Sequence, residues 1–286
     1  MAAIRKVCVL GAGLMGAGIA QVAAQAGLEV KLRDIEDKFL EKGMAAVKQS
    51  LGRMVKKGKI TQADTDTALS RIKCTNKLIE AVRDVDVVIE AIPEILSLKK
   101  ETFKAIDNES PSHVIFASNT SGLSITEMAS ATKRADRFIG MHFMNPVPMM
   151  QLVEIVRGYS TSEETIKSIE ELSVKMGKTP IVVSDTPGFA TSRFIAVLMN
   201  EAIHAFAEGI ASAEDIDKSM RLGMNHPMGP LELADFVGLD TLLYVMENLY
   251  REYSDPKYRP PLLLRQMVRA GHLGRKSGKG FYSYSA

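Results

Sequence analysis

Tryptophan is missing from this 286-residue chain, and cysteine occurs only twice. The two thiols, Cys8 and Cys74, stand in no metal-ligand spacing. That excludes a disulfide framework and a cysteine-based metal site, suits a reducing compartment, and leaves both thiols as expected packing residues. Charge of one sign is lacking too: 36 Lys+Arg against 34 Asp+Glu give a formal net charge of +2. So small an excess gives no general case for nucleic acid or a membrane surface, and any useful positive charge must be local. No apolar run approaches the ~18 residues that a membrane-spanning helix needs. An apolar strand begins within a few residues of the N-terminus, so no signal peptide is expected and the cytoplasm is the expected location. Internal repeats and low-complexity stretches are absent as well. With 46% hydrophobic and 24% charged residues, the chain has an ordinary globular composition and enough length for two domains.

What is present is organised around one stretch. Val7-Cys8-Val9-Leu10 runs into Gly11-Ala12-Gly13-Leu14-Met15-Gly16 and at once into a helical pattern. Strand, Gly-x-Gly-x-x-Gly and helix together make a dinucleotide-binding fingerprint. Gly11 turns the chain tightly, Gly13 lets the backbone approach a pyrophosphate, and Gly16 lets helix and strand pack closely. The phosphates then rest on the amides at the helix N-terminus, beside Leu14 and Met15. Glycines alone could be a tight connection only, so the deciding residue is an acid roughly twenty positions on. Asp34 ends the next apolar segment, where a carboxylate binds a ribose 2′-hydroxyl and repels a 2′-phosphate. NAD is therefore favoured over NADP.

Apolar positions from Phe39 to Val55 recur at helical spacing, and a second helix from about 61 to 70 folds back after Gly58, so residues 36–70 are expected to form a helical arm. Its basic end carries Arg53 and Lys57 four residues apart. Such charge is either a solvated face or a grip for a nucleotide phosphate. Further on, apolar runs at 85–91, 114–117 and 138–143 read as buried parallel strands alternating with helices, the pattern of a doubly wound sheet whose ligands bind beyond the carboxyl ends of its strands. The polar cluster Ser118-Asn119-Thr120-Ser121 follows one such end and is either a ligand site or a helix cap.

His142 closes the strand at 138–143, before Asn145-Pro146, and Glu154 lies within the apolar strand 151–156. A histidine beside apolar residues is commonly a satisfied core residue. A mid-strand carboxylate, however, needs a cationic partner. If the intervening turn lays the two strands side by side, Glu154 orients one ring nitrogen of His142 and leaves the other toward a ligand, as a base with its orienter. Asp185-Thr186-Pro187-Gly188 marks a boundary. Residues 1–186 are expected to form a Rossmann-like α/β domain, and 187–286 a smaller all-helical domain rich in Met and Leu faces, suited to substrate contact and to burial against a second subunit. Its tail, Gly274-Arg275-Lys276-Ser277-Gly278-Lys279-Gly280-Phe281-Tyr282, reads as a basic surface loop with an aromatic anchor.

Taken in order, the glycine fingerprint, Ser118-Asn119-Thr120-Ser121, Gly140-Met141-His142-Phe143-Met144-Asn145-Pro146, Asn225-His226-Pro227-Met228-Gly229-Pro230 and the tail motif resemble the short-chain L-3-hydroxyacyl-CoA dehydrogenases, most of all their bacterial 3-hydroxybutyryl-CoA branch. The resemblance spans nearly the whole chain. It implies interconversion of a 3-hydroxyacyl-CoA and a 3-ketoacyl-CoA with NAD, in a homodimer joined through the helical domain. By the same resemblance His142 is the general base, Glu154 its partner, Ser121 a donor to the reacting oxygen, and Asn119 a neighbour of nicotinamide and substrate carbonyl. Glu94 and Lys99 match positions near the cofactor, Arg53 and Lys57 positions that hold the CoA nucleotide, and Asn145 and Ser192 the substrate side.

Two departures stand out. Ser192 occupies a position where the family usually has Asn, with shorter reach and one proton to donate, which bears on turnover and acyl preference. Ile95, after Pro93 and Glu94, replaces a common Asn and bears on cofactor fit. Two other readings stay open on the sequence: a dehydrogenase of free hydroxy acids or sugar acids on the same fold, and a dinucleotide-binding protein without catalysis.

Overall fold

A computed structural model of the protein describes residues 4–284. The chain divides into two compact units, residues 1–186 and 187–286. In the first, strands and helices alternate: β1 (Lys6–Leu10), α1 (Leu14–Gln25), β2 (Glu29–Arg33), α2 (Asp37–Lys56), α3 (Gln62–Ser70), β3 (Ile72–Thr75), α4 (Leu78–Val82), β4 (Val87–Glu90), α5 (Leu96–Asp107), β5 (Ile115–Ser118), α6 (Ile125–Ala129), β6 (Phe138–Phe143), β7 (Leu152–Arg157), α7 (Glu163–Lys175) and β8 (Thr179–Ser184). The sheet order is β3-β2-β1-β4-β5-β6-β7-β8. Strands β1 to β6 pair in parallel, β7 runs antiparallel to β6, and β8 is parallel to β7. The strand order reverses about β1, so the crevice between the carboxyl ends of β1 and β4 is the topological switch point where ligands of such sheets bind.

Strands β4, β5 and β6 are buried along their whole length, as continuous apolar runs in a parallel sheet should be. On one face Val7, Val9, Val30 and Leu32 share a core with buried residues of α1, α2 and α7. On the other, Phe103 of α5 meets Phe116 and Phe138 edge-on or tilted, with centroids 5.6 and 4.6 Å away. Two short elements, β3 and α4, fall where the apolar signal is too brief to announce itself. Because β3 is an edge strand, its Cys74 is exposed. Cys74 therefore does not pack as expected, whereas Cys8 does: it is fully buried, and burial pushes its thiol up to about 12.

Helices α2 and α3 form the arm. Thr61 and Asp64 close a reciprocal capping box that starts α3 after the turn at Gly58. Arg53 lies in the last turn of α2, and Lys57 is the residue that ends it. Both are exposed, and among the described residues neither is ion-paired.

The second unit holds only helices of any length: α8 (Thr191–Ala207), α9 (Ala213–Gly223), α10 (Pro230–Val237), α11 (Leu239–Tyr253) and α12 (Leu262–Arg269). Leu231, Leu239, Leu242, Met246 and Leu249 make its core with Ile203 and Leu264. Two buried aspartates fasten it. Asp217 accepts from the amides of Leu231 and Glu232 at the start of α10 and from the Tyr282 hydroxyl, at 2.8, 2.8 and 2.7 Å. Asp235 accepts from the amides of Phe281 and Tyr282 at 3.0 and 2.9 Å. A Cβ at Gly280 would lie 1.9 Å from the Asp235 carboxylate, so the glycine-rich tail is shaped by this staple. No helix among the described residues is long and apolar enough to cross a membrane.

Candidate active site

The glycine turn is built as its residue types require. Gly11 has φ +99°, and a Cβ there would sit 2.5 Å from the Ala91 carbonyl oxygen. A Cβ on Gly16 would fall 1.8 Å from the Gly11 carbonyl oxygen, so strand and helix touch through missing side chains. At Gly13 nothing lies within 4 Å of that position. Gly13 is also the residue from which α1 starts, with no side-chain cap, so the first amides of the helix face outward. Leu14 is exposed beside it. Asp34 stands across the turn, one carboxylate oxygen accepting from the Ala12 amide at 2.7 Å and the other from the Ile35 amide at 2.7 Å. An open amide-rich turn with a carboxylate fixed beyond it fits a dinucleotide, with the acid at the ribose.

The carboxyl ends of β4, β5 and β6 surround a cavity lined by Met15, Ala91, Ile92, Glu94, Asn119 and Ser121, together with His142 to Asn145. His142 and Glu154 are register partners across the antiparallel β6–β7 pair. The His142 Nδ1 lies 2.7 Å from Glu154 Oε2. The side-chain exposures differ in a useful way, 10% for the histidine and 0% for the glutamate. A sealed carboxylate thus holds an imidazole that still reaches the cavity, fixing the ring and standing ready to balance the charge that an arriving proton brings. Asn119 uses its Oδ1 to accept from the Phe143 amide at 2.9 Å, which makes its amide nitrogen the donating end.

Residues 118–121 are held from one side by Glu94. Its Oε1 accepts from the Thr120 hydroxyl in a short hydrogen bond and from the Ser121 amide at 3.0 Å. Its Oε2 lies 3.2 Å from the Lys99 ammonium. Lys99, by contrast, does not line the cavity: only 1% exposed, it places its ammonium 2.6 Å from Glu90 Oε1. Lys99 therefore reaches the cavity through Glu94. Burial pushes the Glu90 carboxyl above the usual carboxylate range, against the pull of the Lys99 ammonium.

Residues 6–186 match the family described as the 3-hydroxyacyl-CoA dehydrogenase NAD binding domain, and residues 188–284 match its C-terminal domain. The chain belongs to the 3-hydroxyacyl-CoA dehydrogenase family. The 3-hydroxybutyryl-CoA dehydrogenase of Clostridioides difficile is 46% identical over 280 residues, covering 98% of this chain and 99% of that protein. Human mitochondrial hydroxyacyl-coenzyme A dehydrogenase is 42% identical over 98% of this chain and 91% of its own. The crystal structure of (S)-3-hydroxybutyryl-CoA dehydrogenase from Ralstonia eutropha superposes with a TM-score of 0.97 at 52% identity, covering 99% of this chain and 100% of that one. An NAD-linked oxidoreductase acting on a CH–OH group is what this family membership gives.

Within this 3-hydroxyacyl-CoA dehydrogenase frame the sequence-derived residues fall into three groups. Met15, Glu94, Asn119, Ser121, His142 and Asn145 come together at one cavity, with Glu154 directly behind it. Gly11, Gly13, Gly16 and Asp34 gather at the adjoining turn. Arg53 and Lys57 lie on the arm and line no part of the cavity, and Ser192 stands half-buried in the first turn of α8, in the other unit. Sequence reasoning placed Ser118 and Thr120 in the polar cluster without giving either a role, and it missed Glu90. The signal for Glu90 was available: like Glu154, it is an acid inside an apolar strand and had to have a partner.

Proposed function

We propose that this protein interconverts (S)-3-hydroxybutyryl-CoA and acetoacetyl-CoA with NAD. The observation that carries the reading is the His142–Glu154 pair, sealed on the carboxylate side and reaching the cavity on the imidazole side. Bound NAD supplies the hydride acceptor, and the remaining work falls to the chain. His142 takes the hydroxyl proton at the ring nitrogen remote from Glu154, and as imidazolium returns it in the reverse direction. Glu154 keeps the ring oriented and stabilises the charge it acquires. Ser121 donates to the reacting oxygen, and Asn119 donates its amide nitrogen between nicotinamide and substrate carbonyl. Asp34 accepts from the adenosine ribose, Glu94 stands at the nicotinamide end with Lys99 behind it, and Asn145 and Ser192 contact the acyl part. Arg53 and Lys57, exposed at the arm's end, grip the CoA phosphates. The 3-hydroxybutyryl-CoA dehydrogenases of near-equal length support the short acyl chain.

We read the assembly as a cytoplasmic homodimer. Phe194, Leu222, Met224 and Tyr244 expose large apolar side chains on the helical unit, which supports a partner subunit there. Following NADH absorbance with acetoacetyl-CoA, acetoacetate, longer 3-ketoacyl-CoA esters and, separately, NADPH tests the function. Oxidation of NADH is expected with the short CoA ester and not with free acetoacetate. Equal rates with free acetoacetate would make the protein a hydroxy-acid dehydrogenase, and no oxidation with any substrate would overturn the reading.

A further inference from the structure

Glu90 is the last residue of β4, fully buried, at the strand bordering the switch-point crevice. Both of its oxygens are committed. Oε1 accepts from the Ile92 amide at 2.8 Å and from the Lys99 ammonium at 2.6 Å, and Oε2 accepts from the Ser118 hydroxyl at 2.6 Å. The Ser118 oxygen in turn accepts from the Thr120 amide at 3.3 Å, while the Glu90 carbonyl accepts from the Asn119 amide at 2.8 Å. One carboxylate thereby joins the turn after β4, the first turns of α5 and the end of β5. Its effect reaches the cavity by two routes. Lys99 lies between Glu90 and Glu94, so it draws Glu94 to a fixed place, and Ser118 leads into the segment that Glu94 holds from its other side.

We propose that Glu90 is a positioning residue of the dinucleotide site, which through Lys99 and Ser118 sets where Glu94 and the Asn119–Ser121 segment stand. The proposal rests on the NAD reading above. Its physical content is charge balance in a place without water: the ammonium is shared by one buried and one exposed carboxylate. Removing the buried charge leaves Glu94 as the ammonium's sole counter-ion, and the exposed carboxylate is then pulled off Thr120 and Ser121 toward Lys99. Elsewhere α5 offers a comparison. Asp107, at its far end, pairs with Arg134 at 2.7 Å, is also buried, and touches nothing that lines the cavity.

The test is NADH fluorescence binding and thermal melting on Glu90→Gln, Glu90→Gln with Lys99→Met, and Asp107→Asn. Glutamine preserves the shape and removes the charge, and the double variant removes both charges together. Glu90→Gln is expected to lower the melting temperature and weaken NADH by about tenfold, equivalent to about 1.4 kcal/mol. In the double variant thermal stability recovers but NADH affinity does not, because Glu94 still lacks its fixed cation. Asp107→Asn lowers the melting temperature with NADH affinity unchanged. Wild-type affinity in folded Glu90→Gln, or in the double variant where the single one does not fold, would overturn the proposal. Failure of the unaltered protein to bind NADH would overturn the cofactor reading itself, and the proposal with it.

Discussion

Two buried carboxylates serve the same cavity, and they differ in the company they keep. Glu154 holds a histidine that lines the cavity, whereas Glu90 holds a lysine that is sealed with it. Each satisfies the demand that a charge away from water be paired. Chemistry separates them. Imidazole changes protonation near neutral pH and is reachable by substrate, so the first pair can exchange a proton. The Lys99 ammonium is sealed away from any substrate, so the second pair can only hold geometry. The comparison teaches that burial of an acid in a strand signals a partner, and that the partner's exposure decides between catalysis and support.

Exchange of the histidine is the largest way to break that contrast. His142→Ala is expected to lower kcat by roughly 10³-fold, within the usual worth of a positioned acid–base group. NADH affinity in the same variant stays near wild type, read by fluorescence. Affinity falling in step with kcat would mean that His142 only supports the fold. Glu154→Gln should cost less, roughly 10²-fold in kcat, because the imidazole loses the carboxylate that fixes its ring. An unchanged kcat would reduce Glu154 to packing.

Smaller effects sharpen the support side. The helix that carries Lys99 follows Ile95, which gives no side-chain cap. Ile95→Asn is expected to add about 1 kcal/mol of stability by capping α5, read as a small rise in melting temperature. No rise would show that the substituted side chain does not reach the open amides. At alkaline pH the buried thiol of Cys8 acts through the unfolded state. Its pKa is pushed up to about 12 from the ordinary 9.0, so its contribution is whole below pH 9 and is lost as pH rises toward 12. Cys8→Ser melted alongside the parent should show less of that alkaline decline. In the native protein a thiol reagent at pH 8 should modify exposed Cys74 and spare Cys8.

Much of the site was legible in the sequence. The glycine fingerprint with Asp34 and the pairing of His142 with Glu154 rest on local chemistry, where each residue type has few uses. The helix ends were less so, Lys56 closing α2 and Leu96 opening α5. Such ends depend on caps more than on periodicity. Lys99 is the instructive difference. Its place in the sequence pointed to the cofactor, yet only packing revealed that a second acid, 9 residues earlier, claims it first.

By itself, then, the sequence determined the strand–turn–helix for a dinucleotide, the order of alternating elements and the candidate residues His142 and Glu154, because backbone sterics and hydrophobic period act over a few residues. Tertiary structure alone decided that β7 runs back along β6 to bring Glu154 opposite His142, that Asp217 and Asp235 staple the tail, and that Glu90, Lys99 and Glu94 share one charge. Those outcomes join residues far apart in the chain, and which buried groups must satisfy one another is settled only when the strands have taken their places.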